Sequence, residues 1–216
     1  MKIYKNIYEQ IISSENLFSA WDAFKSDKRN RIDVQEYEWH LEENIFALHR
    51  DLRSGAYKHG LYKGFWIHDP KRRRIHKATV RDRVLHHAVF KILNPIFEPT
   101  FISTSFSCRV GLGTHRGVDF LAHAMRKMSR NYTKRCFVLK CDIRKFFDSV
   151  DHAALFRILE RRIKDKEARW LLGEIIGSYA SGLCERERER EYSTPLAERN
   201  TNRKSHFAAV CEYLYE

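Results

Sequence analysis

The segment Lys140–His152, KCDIRKFFDSVDH, has the residue types and spacing for metal-assisted phosphoryl transfer. A carboxylate, Asp142, lies near the end of a short apolar run, residues 136–143 (CFVLKCDI). Its strict alternation predicts a β-strand, with Lys140 and Asp142 on the face opposite Phe137, Leu139, Cys141 and Ile143. Five residues past Asp142 comes Phe147, beside Phe146, then Asp148 and the pair Asp151–His152. Displacement at phosphorus by two divalent cations needs carboxylates held rigidly, and a strand end holds them. The strand exit also exposes a backbone carbonyl. An aromatic ring just past the turn can lie under an incoming sugar and exclude a 2′-hydroxyl. Taken singly, these residues fit blander roles: Asp142 as a helix cap or ion-pair partner, the phenylalanines as core. Only the ordered set favours chemistry.

Elements that would position this segment lie upstream. Val34, Tyr37, Leu41, Ile45, Leu48 and Leu52 recur at three- and four-residue steps, which predicts one apolar helix face ended by Gly55. Residues 56–78 mix aromatic and basic side chains around Gly60, Gly64 and Pro70 and predict a hairpin. Helical spacing returns from Arg81 to Phe97, with Pro95 and Pro99 as stops. A loop with Gly111, Gly113 and Gly117 precedes a helix predicted to bury Val118, Leu121, Met125 and Met128. A last helix is expected from about Ala153 to Tyr179, with a break near Lys164. The adjacent His86 and His87 point in different directions on a helix, so packing suits them better than a metal. Asp82, between Arg81 and Arg83, is expected to form structural ion pairs.

The ordered set resembles the bacterial reverse transcriptases of the group II intron, retron and diversity-generating kinds. KCDIRKFFDSVDH resembles their first palm motif. PKRRRI, VRDRVLHHAVFKILNPIFEPTFI and SFSCRVGLGTHRG resemble their fingers motifs, in the same order, and the match covers roughly residues 5–180. The resemblance implies an incomplete α+β right-hand polymerase fold. Residues 1–55 would be a helical N-terminal extension, 56–135 the fingers and 136–184 the first palm strand and helices. It implies RNA-directed DNA synthesis on an RNA template and a DNA primer strand, from dNTPs, with Mg²⁺. Asp142 would be the catalytic metal ligand, joined by the Ile143 carbonyl, and Phe147 would gate the sugar. Lys71, Arg73 and Arg109 would contact the nucleotide's phosphates, and Arg72, Arg74 and Lys77 the nucleic acid.

Composition agrees with a polyanionic partner. Among 216 residues the net charge is +12, and 43% hydrophobic residues are enough for a sizeable core. Residues 61–91 hold nine Lys or Arg against two acids, and residues 126–145 eight against one. Phe65, Trp66, Tyr132 and Phe137 lie in these stretches, and such rings can stack on bases while the cations neutralise phosphates. The five cysteines are odd in number and form no C-x-x-C pair, which suggests reduced thiols and a cytoplasmic setting. No stretch approaches the ~20 apolar residues of a membrane span.

The sequence has no Asp-Asp pair, so the family's Y-x-D-D motif is missing, as are its second palm motif and thumb. The chain is therefore expected to be inactive by itself. Residues 185–191 read ERERERE, which an unbroken GA repeat encodes, and such repeats slip. One permitted codon choice for Glu198–Glu216, read one nucleotide later, spells NEIPIGNLTSQLFANIYM, which resembles the missing second palm motif. Residues 185–216 are thus expected to be an out-of-frame tail, from a phase-variable gene or a decaying one. The rival expectation is a non-catalytic RNA-binding protein.

Overall fold

The computed structural model describes residues 2–68, 72–143 and 146–182. Helix α1 (Tyr8–Ile12) leads into α2 (Ser14–Lys25), whose cap is Ser13: its Oγ accepts the Asn16 N–H at 3.3 Å. Helix α2 buries Leu17, Ala20, Trp21 and Phe24, one face at helical spacing. The apolar periodicity from Val34 to Leu52 is divided between α3 (Ile32–Trp39) and α4 (Leu41–Arg53) rather than carried by one helix. His40 leaves the helical region (φ −117°, ψ 37°), and the Asn44 side chain donates to the Tyr37 carbonyl at 3.1 Å, a partner for an acceptor near the break. Gly55 ends α4 as expected, at φ +70°.

The hairpin expected between residues 56 and 78 is present. Strands β1 (Lys63–Ile67) and β2 (Arg73–Lys77) pair antiparallel, with Phe65 opposite Ile75 and Trp66 opposite Arg74. Helix α5 (Val80–Phe97) follows and forms the centre of the fold. Thr79 caps it: Oγ1 accepts the Asp82 N–H at 3.3 Å and donates back to the Asp82 carboxylate at 2.5 Å. Pro95 does not end this helix. It removes one donor near the C-terminus, and the helix runs two residues further to bury Ile96 and Phe97. Arg162 then donates to the Ile96 carbonyl at 3.1 Å.

After a loop come α6 (Thr114–Met128), α7 (Phe146–Ser149), α8 (His152–Arg162) and α9 (Lys166–Gly182), with the expected break between the last two. Asp151 caps α8 through the Ala153 and Ala154 N–H groups at 2.9 and 3.1 Å. Asp165 caps α9, and its second oxygen accepts the Tyr8 N–H at 2.9 Å, tying the break to α1. Tyr4 bridges Ile163 through bonds to Arg162 and Lys164 of 2.8 and 2.9 Å. One buried cluster joins α1, α2, α4 and α5 to Leu155, Leu159, Ile163, Leu171 and Ile175 of the α8–α9 region. The first helices and those after the Asp142 segment therefore share a core.

Two further expectations fail. Residues 136–143 form no strand: Phe137 is 91% and Leu139 88% exposed, and no described strand lies beside them to pair with. Alternation marks a capacity for pairing, and pairing requires a neighbour. Helix α6 does not bury its apolar face either; Val118, Leu121 and Met128 are exposed. It meets the preceding loop through Phe106, whose ring lies 5.6 Å from that of Phe120.

Candidate nucleic-acid interface

The hairpin is fixed at its base and open towards its tip. On one side Lys77 Nζ lies 2.6 Å from Asp33 of α3, which also pairs with Arg83 at 2.9 Å. Burial pushes the Asp33 carboxyl up, but the Lys77 hydrogen bond and the Lys77 and Arg83 charges outweigh it and hold it below the usual range. On the other side the His76 ring meets Tyr179 of α9 edge-on at 6.1 Å. Beyond these anchors Phe65, Trp66 and Ile67 are exposed. The Arg72 guanidinium lies 4.1 Å over the Trp66 ring, a cation–π pair at the surface. Arg74 is exposed opposite Trp66.

The expected site residues are thus distributed unevenly. Arg72 and Arg74 are exposed beside an aromatic ring, and Lys77 pairs with Asp33. Arg73 stands opposite Ile67 in the register, and its side chain lies outside the described residues, as Lys71 does altogether. Arg109 is held within its own loop: Nε donates to Glu98 at 2.7 Å and Nη1 to the Ile102 and Ser105 carbonyls at 3.1 and 2.9 Å. That places Arg109 as a brace for residues 98–109.

Asp142 is exposed, and its Oδ1 accepts the Ile143 N–H at 3.0 Å. Phe147 falls on α7, with its side chain and that of Asp148 outside the described residues. Among the described residues no three His, Cys, Asp or Glu side chains gather where a metal ion would be held. Mg²⁺ bridged by carboxylates needs more than one of them. The described donors do not fit a two-metal centre, so no chemical step is assigned to one. Cys108, Cys136 and Cys141 are free thiols, Cys184 and Cys211 lie outside the described residues, and no described helix is long and apolar enough to cross a membrane. The tail from residue 183 onward is also outside the described residues.

No protein-family model matches the chain. It is 23% identical over 177 residues to the group II intron-encoded protein LtrA of Lactococcus lactis subsp. cremoris, which covers 79% of this chain and 28% of LtrA. It is 26% identical over 140 residues to nuclear intron maturase 1, mitochondrial, of Arabidopsis thaliana, covering 63% of this chain and 18% of that protein. The chain is similar to group II intron-encoded proteins. The protein YkfC of Escherichia coli K12 is 27% identical over 138 residues, 63% of this chain and 36% of YkfC. The chain spans between 18% and 36% of the length of these relatives. The similarity supports the reverse-transcriptase resemblance at the level of the family.

Behind the hairpin lies a polar network that the sequence pattern does not reveal. Asp82 is fully buried and accepts from Tyr57 Oη at 2.8 Å, from the Gly60 N–H at 3.1 Å and from Thr79. The expected ion pairs of Asp82 do not form with its neighbours Arg81 and Arg83, which turn instead to Asp51 and Asp33, because neighbours on a helix face different directions. Gly60 is needed here: a Cβ would lie 2.8 Å from Asp82 Oδ2 and from Thr79 Cγ2. The His59 ring stacks on His86 with centroids 5.2 Å apart, and their Nε2 atoms are 3.2 Å apart. His59 Nδ1 faces the Gly60 carbonyl at 2.7 Å and must carry hydrogen. With both rings neutral, His59 Nε2 accepts and His86 Nε2 donates. Glu174 of α9 accepts the His59 N–H at 3.3 Å, and Tyr62 Oη lies 3.3 Å from Ser178 Oγ. Burial first, then repulsion between the His86 cation and its neighbour His59, lowers His86 to about 3. Burial and the Lys28 charge lower His87 to about 4. Burial and the Asp82 charge raise Tyr57. His86 and Tyr57 are thereby held neutral where the hairpin joins α5 and α9, giving the hairpin a buried mount. His86 and His87 are packed, as expected, against the rings of His59 and Phe24.

Proposed function

We propose that the chain is the fingers-side portion of an RNA-directed DNA polymerase of the intron-encoded, maturase-like kind, and that its own contribution is to hold RNA. The observation that carries this reading is the hairpin: mounted on Asp33, Tyr179 and the His59–His86 network, it projects Phe65, Trp66, Arg72 and Arg74 into solvent. Cations beside an exposed indole suit phosphates beside an unpaired base. The relatives named for introns make intron RNA the favoured template. Lys71 and Arg73 would meet the triphosphate of an incoming dNTP, and Phe147 its sugar. Mg²⁺ would require carboxylates in addition to Asp142, so the chain alone is expected not to polymerise. The out-of-frame tail belongs to the same proposal: the DNA after codon 180 should continue, one base shifted, into a Y-x-D-D motif.

The test is RNA affinity against salt, with a primer-extension assay in parallel. The reading expects salt-dependent RNA binding without Mg²⁺, weakened at least several-fold by Trp66→Ala, and no extension. Absence of RNA binding would refute it. Extension by the chain alone would refute the inactivity. The non-catalytic RNA-binding reading gains if no shifted frame encodes the missing carboxylates.

A further inference from the structure

We infer that the turn closing α6, residues 126–135, is a second RNA-contacting site, separate from the hairpin, that grips phosphates of single-stranded RNA and stacks Tyr132 on a base. The inference rests on the RNA-binding function proposed above. Helix α6 ends in a Schellman arrangement: the Asn131 N–H bonds the Arg126 carbonyl at 2.7 Å, and the Arg130 N–H bonds that of Lys127 at 3.3 Å. The left-handed position of this motif favours glycine, and α4 uses Gly55 there, at φ +70°. Helix α6 instead has Arg130 at φ +48°, and the left-handed path continues through Asn131 at +59° and Tyr132 at +67°. Consecutive left-handed residues with side chains are strained. A buried serine keeps them in place: Ser129 Oγ accepts the Tyr132 N–H at 2.9 Å, and its carbonyl accepts the Lys134 N–H at 2.8 Å.

What the strained path presents is charge without compensation. Residues 126–135 hold five Lys or Arg and no acid. Arg126, Lys127, Arg130, Lys134 and Arg135 are all exposed, and none forms an ion pair with a described residue. Elsewhere Lys77, Arg81, Arg83, Arg109 and Arg169 each have a carboxylate partner. Tyr132 is 60% exposed next to these cations, and a ring beside guanidinium groups suits a base beside its phosphate. An anionic membrane would attract the same charges; the stacking ring favours RNA.

The full chain would be titrated with a labelled oligouridine across a range of KCl concentrations. Lys134→Ala with Arg135→Ala should flatten the slope of log K against log salt by about 1.4, roughly 0.7 for each phosphate contact. Tyr132→Ser should weaken binding several-fold, and Tyr132→Phe should restore it. Arg130→Gly should weaken binding yet raise the unfolding midpoint, because glycine relieves the left-handed backbone. A purely structural role for Arg130 would not separate those two readouts. Unchanged affinity and slope in these variants, with Trp66→Ala still weakening binding, would overturn this site and leave the proposed function standing. Failure of the unaltered chain to bind RNA would overturn both. Binding to phosphatidylserine vesicles but not to oligouridine would overturn the RNA assignment.

Discussion

Acidification should destabilise this chain before its carboxylates titrate, because His86 and His87 are buried neutral on α5. Their folded-state values lie at about 3 and about 4, below an unfolded value near 6.5. The unfolded chain therefore takes up protons first. The stability tied to their neutral form is complete above about pH 6.5 and is lost as pH falls towards the folded values. At about pH 5 an unfolded imidazole is nearly fully protonated while each folded one is still mostly neutral, which amounts to about 2 kcal/mol per ring and about 4 kcal/mol for the pair. That is a large share of a typical domain's stability. The geometry explains why neither ring adapts in place. His86 would take its added proton on Nδ1, placing charge on a buried ring, while its Nε2–H goes on donating to His59 Nε2 across 3.2 Å. His87 packs its edge on Phe24 at 5.6 Å, and the Lys28 and Arg83 charges also disfavour its cation. Urea denaturation followed by circular dichroism at about pH 8, 6.5 and 5 measures the loss directly. His87→Phe keeps the contact with Phe24 and should remove about half of the pH dependence. A stability that changes by less than about 1 kcal/mol over this range would refute the reasoning.

Three further substitutions probe the mount and the open elements. Gly60→Ala puts a Cβ 2.8 Å from Asp82 and Thr79 and should destabilise the chain by about 1–3 kcal/mol in urea melts, lowering RNA affinity through the hairpin. Asp33→Asn leaves Arg83 buried without its anion and should destabilise by about 3 kcal/mol, near the low end for a broken buried pair because Asp33 itself is partly exposed. Leu139→Ser should change the unfolding free energy by no more than about 0.5 kcal/mol in urea melts. A larger loss would mean that residues 136–143 are packed, contrary to the exposure of Leu139.

Local rules were legible where the chain satisfies them with its immediate neighbours. The hairpin around residues 63–77, the break between α8 and α9 and the stop at Gly55 follow from turn residues and periodicity, and all three form. The same periodicity cannot say whether a face finds a partner. The α6 stripe and the 137–143 alternation have the pattern of buried elements, yet both are exposed because no described element covers them. The α3–α4 break went unseen because His40 carries no breaker signature, and the apolar spacing runs through it unchanged.

The candidate site shows the complementary limit. Arg72 and Arg74 were legible as exposed cations because charge density marks them. Lys77, of the same run, meets Asp33, a contact between residues 44 positions apart in the chain that no local pattern encodes. The polar mount was hidden for the same reason, since His59, Asp82 and Glu174 come from three separate segments. Its consequence is physical. A two-stranded hairpin is marginal on its own. Tied through buried, mutually satisfied groups to α5 and α9, it can hold Trp66 and Arg72 in place before any ligand arrives, and a preformed surface loses less entropy on binding. The exposed tip and the neutral histidines behind it are therefore one design: damage to the mount should weaken RNA binding without touching a residue that contacts RNA.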